Sequence, residues 1–358
     1  MDVDVLIVGA GPAGSTTARF CASKDIDVLM IDRRREIGYP VQCGELLPDT
    51  DEMYTIFPEG QDLKELFTLP SHLIQRTCDN IDLISPGGKT YRCEFKSHVL
   101  DRRFFDKHLV DLAINAGSRL STDSSLLSLE NGIARTTLGD IKAKVIVGAD
   151  GPNSRTMRQA GMDDSRMNYP AVTCQAKGSF EPVVKMYFGS VAPGGYGWII
   201  PKASGANIGV GFNPNIFKGR PRTVFDKFMA TMDCEYGDVT MGLVPMSGPA
   251  SSTVRENVLL VGDAAGHVMA TNGGGIPTAM IAGRIAGKTI AEHLAGECSL
   301  SVYEKRWREV MGKPLRTALS TRRLANIFFP NDRLLGMSMR ILGRRGLNRA
   351  IRCKRILL

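Results

Sequence analysis

No C-x-x-C pair occurs among the eight cysteines of this chain, which stand at positions 21, 43, 78, 93, 174, 234, 298 and 353. Thiols scattered in this way argue against a zinc site, an iron–sulfur cluster and a disulfide framework, and fit a reducing cytosol. No run of 18 apolar residues exists either, so no segment is expected to span a bilayer. The sequence enters a strand within three residues of Met1, so no signal peptide is expected ahead of the fold. Internal repeats and low-complexity tracts are also missing. What is left, at 358 residues, has an ordinary globular composition with length for a sizeable core and two intimately packed domains.

The first 32 residues carry the clearest signal. An apolar strand (Val3 to Val8) runs into Gly9-x-Gly11-x-x-Gly14, a helix follows to about Lys24, and a second strand (Val28 to Ile31) ends on Asp32. Gly9 suits a tight turn, Gly11 admits a pyrophosphate, and Gly14 lets helix and strand pack closely. The helix amino end offers free N–H groups to phosphates, and Asp32 is placed to accept from a ribose. This order predicts a dinucleotide site and leaves NAD(P) and FAD both open.

Further along, a loop-rich stretch covers Arg33 to Pro48, and residues 81–95 read as a hairpin around Pro86-Gly87-Gly88. An amphipathic helix runs from Leu100 to about Ala116. Strands are expected near 125–129, 133–137 and 141–148, and then Gly148-Ala-Asp150-Gly151-Pro-Asn-Ser154. Residues 168–250 alternate in the manner of an antiparallel sheet. From Val258 the pattern returns to α/β, with Gly262-Asp263-Ala-Ala-Gly266 and a helix from Pro277 to about Leu294. A nucleotide fold that is started, left and resumed fits an FAD domain with inserted segments better than a contiguous NAD domain.

Charge is concentrated at one end. Residues 331–358 hold eight Lys/Arg and one acid, Asp332, which is +7 of a formal +8. Interleaved with Leu334, Met337, Ile341 and other apolar residues, they read as an interfacial helix on an anionic membrane surface or as a solvated helix packed on the body. Nucleic acid ranks lower as a partner, because the tail has no aromatic platform or binding motif.

Taken together, GAGPAG at 9–14, GADGPNS at 148–154 and VGDAAG at 261–266 resemble the FAD-binding superfamily that includes aromatic hydroxylases. Three segments narrow the resemblance. Pro40-Val-Gln-Cys43-Gly44-Glu45 is similar to the P-x-x-C-[GA]-E loop of the geranylgeranyl reductases. Tyr196-Gly-Trp198-Ile-Ile-Pro201 is similar to their Y-x-W-x-F-P signature, and Leu100-Asp-Arg102 to Leu109 resembles their R-x-x-F-D-x-x-L helix. The chain departs from the family at Asp32, Leu46, Ile200 and in a shorter tail.

The resemblance implies an α/β fold. Residues 1–80, 97–167 and 251–296 would form a discontinuous FAD domain, 81–96 and 168–250 an antiparallel-sheet substrate domain, and 297–358 a helical basic segment. It implies FAD contacts from Gly9, Gly11, Ala13, Gly14, Asp32, Arg33, Cys43, Gly44, Arg102, Leu126, Asp150, Gly151, Asp263, Gly275 and Ile276. The implied activity is saturation of C=C bonds in digeranylgeranylglycerophospholipids, with hydride from reduced flavin N5 and electrons from NAD(P)H or a ferredoxin. The helix beginning at Pro277 would stabilise charge on the flavin.

Cys43 is the expected catalytic residue, as proton donor or positioning group over the flavin. Glu45 beside it reads as a solvated loop carboxylate. Tyr196 and Trp198 share one strand face and either wall a prenyl channel or fill the core. His267 and His293 receive no catalytic role. Two other readings stay open: a flavin monooxygenase of a hydrophobic or aromatic substrate (the Tyr196 segment is also similar to the W-x-W-x-I-P of flavin halogenases), and a membrane-associated electron-transfer flavoprotein.

Overall fold

The structure, a computed structural model, describes residues 1–130, 132–163 and 166–356; Leu357 and Leu358, the end of the basic segment, lie outside the described residues. The chain opens with β1 (Asp2–Val8), α1 (Pro12–Ala22) and β2 (Val28–Ile31), followed by β3 (Leu46–Pro48), α2 (Thr50–Ile56) and α3 (Leu63–Phe67). A hairpin of β4 (Ile74–Ile84) and β5 (Thr90–Leu100) precedes α4 (Arg102–Asn115), β6 (Arg119–Ser121), β7 (Leu126–Glu130), β8 (Ile133–Thr136) and β9 (Gly139–Gly148). After α5 (Arg155–Gln159) come β10 (Asn168–Ala176), β11 (Val184–Tyr187), β12 (Tyr196–Lys202), β13 (Gly205–Gly211), α6 (Pro221–Met229) and β14 (Tyr236–Pro245). The chain returns through β15 (Val254–Arg255) and β16 (Val258–Leu260) to α7 (Ile276–Leu294), α8 (Val302–Phe328) and α9 (Asp332–Ile351).

Among the described residues the strands form two sheets. The first runs β15-β16-β9-β1-β2-β6, and from β16 to β6 its neighbours are parallel. Val5 to Val8 of β1 are buried on both faces, as expected of a central parallel strand with cover above and below. One cover is α1 and α7; the other is the antiparallel meander of β7, β8 and β9. Helices α1 and α7 meet backbone to backbone: a Cβ at Gly283 would stand 2.6 Å from the Ala13 carbonyl oxygen, and one at Gly287 2.8 Å from that of Thr17. Long α8 closes this side, with Tyr303 donating to the Leu260 carbonyl at 3.0 Å and Trp307 to Thr253 Oγ1 at 2.9 Å.

The second sheet runs β14-β10-β13-β12-β11-β4-β5-β3, antiparallel except where β11 meets β4. It takes in more of the chain than the sequence suggests. The hairpin extends over 74–100, and β3 pairs with β5, so residues 46–48, 74–80 and 97–100 join this sheet rather than the nucleotide domain. The start of β4, Ile74-Gln-Arg-Thr77, is only partly buried and polar, which hides its strand character. Helix α6 is likewise unanticipated. It buries Val224, Phe225, Phe228 and Met229 against the sheet.

The basic C-terminal segment is not one interfacial helix. Gly343 (φ 55°, ψ −171°) breaks α9 into two pieces. Before the break, Leu334, Met337 and Ile341 are exposed; beyond it, Leu347 and Ile351 are buried. Arg352 then forms an ion pair with Glu52 at 2.5 Å, both side chains largely covered, and lies 5.1 Å over the Phe95 ring. Packing on the body accounts for the apolar side chains of the distal piece, whose Arg344, Arg345, Lys354 and Arg355 stay exposed, and the exposed apolar side chains belong to the proximal one.

Candidate active site

The three glycine-rich segments converge at the carboxyl edge of the first sheet, where open α/β sheets take their ligands. Ala149 N donates to the Val8 carbonyl at 2.8 Å and Val261 N to that of Gly148 at 3.0 Å, tying the segments side by side. Gly9 (φ +104°) admits no side chain, since a Cβ would stand 2.3 Å from the Ala149 oxygen. Gly14 is equally closed by the Gly9 oxygen. Gly11 differs: no atom lies within 4 Å of where its Cβ would be. The amino end of α1 begins there with no side-chain cap, and its free N–H groups and dipole face this open space. Asp32 braces the turn, accepting from Ala10 N and Arg34 N, each at 2.8 Å.

A second uncapped amino end, that of α7, starts at Gly275 and Ile276 after the Gly273-Gly274 turn. Asp263 lies against it, its Oδ1 3.0 Å from a Cβ built on Gly275. No described residue hydrogen-bonds the Asp263 carboxylate. Burial pushes its pKa up to about 6, with Arg102 and Arg166 opposing the shift. An open glycine cradle, two free helix amino ends and an unpaired carboxylate are the features a pyrophosphate and a polyhydroxy chain would satisfy, so the residues present fit a flavin dinucleotide.

Over this edge stands the Cys43 loop. Cys43 Sγ accepts from Glu45 N at 3.2 Å, and its carbonyl accepts from Asn207 Nδ2 at 2.8 Å. Burial pushes the thiol pKa up, while the nearby Arg102 guanidinium pulls it down. Arg102 itself is held by a bidentate pair with buried Asp106, at 2.6 and 2.7 Å. Beside the loop, β12 presents Tyr196 and Trp198 on one face, ring centroids 5.9 Å apart. Trp198 is buried and donates to Asn207 Oδ1 at 2.8 Å. The Tyr196 hydroxyl donates to the Asn272 carbonyl, which links this strand to the turn before α7. Burial pushes the Tyr196 hydroxyl up to about 12.

Residues 164–243 match the geranylgeranyl reductase catalytic domain, and residues 7–56 match an NAD(P)-binding Rossmann-like domain. The digeranylgeranylglycerophospholipid reductase of Methanosarcina acetivorans is 36% identical over 348 residues, covering 88% of this chain and 83% of that protein. This chain belongs to the geranylgeranyl reductase family. A geranylgeranyl bacteriochlorophyll reductase-like structure from Thermoplasma acidophilum superposes with a TM-score of 0.83 at 27% identity, covering 94% of this chain and 90% of that one. A flavin-dependent brominase shares the fold alone, with a TM-score of 0.75 at 18% identity, covering 99% of this chain and 94% of that one.

Within this member of the family, the expected residues do not all meet. Cys43, Gly44, Arg102, Asp263, Gly275, Ile276, Tyr196 and Trp198 gather around the α7 amino end, and Gly9, Gly11, Gly14 and Asp32 around that of α1. Gly151 (φ +84°) has open space at its Cβ position. Ala13 is buried, its Cβ close to Gly262, so it serves helix packing. The Arg33 side chain is exposed. Two residues expected at the cofactor are also engaged within the fold. Leu126 is buried in the first sheet's core, its carbonyl accepting from Arg155 at 2.8 Å. The Asp150 carboxylate accepts from Ser154 Oγ at 2.6 Å and from Thr156 N at 2.9 Å, fixing the start of α5. His267 is fully buried beside the Trp307 ring, 4.5 Å between centroids, and burial holds its pKa down to about 3.

Glu45 departs furthest from expectation. It is completely buried, in a left-handed backbone conformation (φ 65°). Its oxygens accept from Arg102 N at 2.9 Å, Gln175 Nε2 at 2.7 Å and Asn207 Nδ2 at 2.9 Å, and pair with Lys202 Nζ at 2.6 Å. A buried carboxylate survives only with such compensation. Asn207, Gln175 and Lys202 are therefore site residues that sequence reasoning missed. The available signal was Asn207 itself, a polar residue in the middle of an apolar strand.

Proposed function

We propose that this protein is an FAD-dependent reductase that saturates the C=C bonds of geranylgeranyl chains in digeranylgeranylglycerophospholipid-type membrane lipid precursors. The observation that carries this reading is the placement of the partly buried Cys43 thiol beside Arg102 and the aromatic face of β12, in a chain of this family. FAD, reduced by an external donor such as NAD(P)H or a ferredoxin, would supply the hydride that side chains cannot.

The chain's own residues do the rest. Gly11 and the α1 amino end bind the phosphates, and Asp32 the ribose. The α7 amino end and Arg102 favour negative charge beside them. Cys43 holds a proton at Sγ, kept there at neutral pH by burial. Glu45 and Asn207 fix the Cys43 main chain, and Trp198 and Tyr196 line an apolar face that excludes water from an isoprenoid chain. The proximal part of the C-terminal segment rests on an anionic membrane surface, where such lipids reside.

Anaerobic incubation of the dithionite-reduced holoprotein with digeranylgeranylglycerol phosphate should add two hydrogens per double bond, read by mass spectrometry. Absence of any mass increase sinks the reductase reading; oxygen-dependent hydroxylation would replace it with the monooxygenase. Cys43→Ala should keep FAD and lose turnover, about 100-fold for a general acid. Full turnover in that variant removes Cys43 from the mechanism.

A further inference from the structure

The loop from Arg33 to Gln42 joins two residues that the proposed reading sets at the cofactor, Asp32 and Cys43, and its outer surface has no part in that reading. It rests on the amino end of α4: a Cβ on Gly38 would stand 2.6 Å from the Arg102 carbonyl oxygen and 2.9 Å from Arg103 Cα. Its far end is tied to the edge strand β14, where Gln42 Nε2 donates to the Met241 carbonyl and Thr240 Oγ1 to that of Val41. Loop, helix and strand therefore form one surface around Cys43.

Three large apolar side chains stand out from it. Tyr39 is 51% exposed, Phe104 58% and Met241 53%. Among the described residues, Phe104 and Tyr39 are the most exposed of all Phe, Tyr and Trp side chains. Leaving such groups in water is costly, and aromatic rings, Met and Arg are the residues that protein interfaces concentrate. The arginines are here too. Arg33 and Arg35 are exposed, and no carboxylate of the described residues pairs with either. Half-buried Arg34 donates to Gln42 Oε1 at 3.1 Å. The nearby acids are already neutralised, Glu36 by Lys107 and Asp101 by Arg103, each at 2.6 Å. The surface is thus cationic. A cavity of about 550 Å³ between Arg34, Arg35, Glu36, Tyr39 and Pro40 indents it, as interface anchors require.

We propose that this surface docks an acidic one-electron carrier protein, the external donor of the reductase. The inference rests on the proposed reductase reading. Tyr39, Phe104 and Met241 supply the dry centre of the contact, while Arg33 and Arg35 steer and orient an acidic partner. Exposed apolar groups drawn from a loop, a helix and a sheet edge suit the broad contact of a protein rather than a single nucleotide. A carrier seated there covers the loop that ends in Cys43. Each docking passes one electron, so two carriers, oxidised in turn, supply the two electrons that bound FAD takes up with two protons from water.

The experiment titrates FAD-loaded protein with an acidic two-cluster ferredoxin as the probe. Calorimetry should read a complex whose affinity falls as salt rises. Arg35→Glu and Phe104→Ala, each retaining its FAD, should raise Kd about tenfold. In stopped-flow absorbance, subsaturating reduced ferredoxin should bleach the flavin about tenfold more slowly in both variants, while dithionite reduces all three proteins at one rate. Absence of a complex, or unchanged Kd in both variants, overturns the docking surface. Saturable reduction by NADPH that Arg35→Glu abolishes assigns the cavity to a nucleotide and overturns it too. So does loss of flotation with phosphatidylglycerol vesicles in Phe104→Ala, which assigns the surface to lipid. Ferredoxin that binds and reduces the flavin through this surface, in a protein that saturates no prenyl lipid, overturns the reductase reading instead.

Discussion

Lys202 and Glu45 form the buried ion pair on which the Cys43 loop depends. The lysine side chain is 11% exposed and the carboxylate not at all. Lys202→Met leaves an uncompensated buried charge and should cost about 3–5 kcal/mol in urea denaturation. Glu45→Gln added to it should return part of that loss, because no charge remains, while its amide can no longer accept from Arg102 N, Gln175 Nε2 and Asn207 Nδ2 together. Asp263 makes a different prediction. Its carboxyl titrates near 3.8 when unfolded and at about 6 when folded. Between those values the folded chain keeps a proton the unfolded chain has lost, so stability falls as pH rises through that window. Asp263→Asn removes the penalty. Cofactor-stripped variant should melt above cofactor-stripped wild type near neutral pH, and calorimetry should find the two converging below about pH 3.8, where the wild-type group is neutral in both states.

Among the elements, the β1–α1–β2 unit separates glycines needed by the fold from one needed by a ligand. Gly283→Ala drives a methyl into the Ala13 carbonyl of α1 and should cost about 1–3 kcal/mol by denaturant titration. Gly11 has ordinary angles (φ −75°, ψ −173°) and open space. Gly11→Ala should therefore leave the denaturation midpoint near wild type while weakening FAD, measured by fluorescence titration. This unit is legible in the sequence because its apolar runs, its glycines and Asp32 each mark a local geometry. The strand at 258–260 and α7 are legible for the same reason. Helix α6 and the first half of β4 are not, because partners remote in sequence decide their structure: α6 forms on a sheet whose alternation dominates that stretch, and polar Gln75-Arg76-Thr77 becomes strand only by pairing with β5. The site divides likewise. Cys43, Arg102 and Tyr196 sit in recognisable segments, whereas the burial of Glu45 depends on Asn207, 162 positions away, which no local pattern reveals.

At the scale of the whole molecule, two sheets and three C-terminal helices leave the α8–α9 face both cationic and apolar. Among the described residues no helix is long and apolar enough to cross a membrane; on the proposed reading, contact with lipid falls to that face. Replacing Arg323, Arg333 and Arg340 with Glu should abolish flotation with phosphatidylglycerol vesicles, and wild-type flotation should weaken as salt rises. The distal piece of α9 acts elsewhere. Asn272 Nδ2 donates to the Ile351 carbonyl at 3.0 Å, and the Asn272 carbonyl in turn accepts from the Tyr196 hydroxyl. The turn that precedes α7 is thus clasped by a residue 79 positions downstream. During translation, Cys43, Tyr196 and the glycine turn all leave the ribosome before Ile351 does. A nascent chain therefore carries Cys43, Tyr196 and the glycine turn while that outer clasp is still unmade, and the turn before α7 gains this restraint only once residue 351 has emerged.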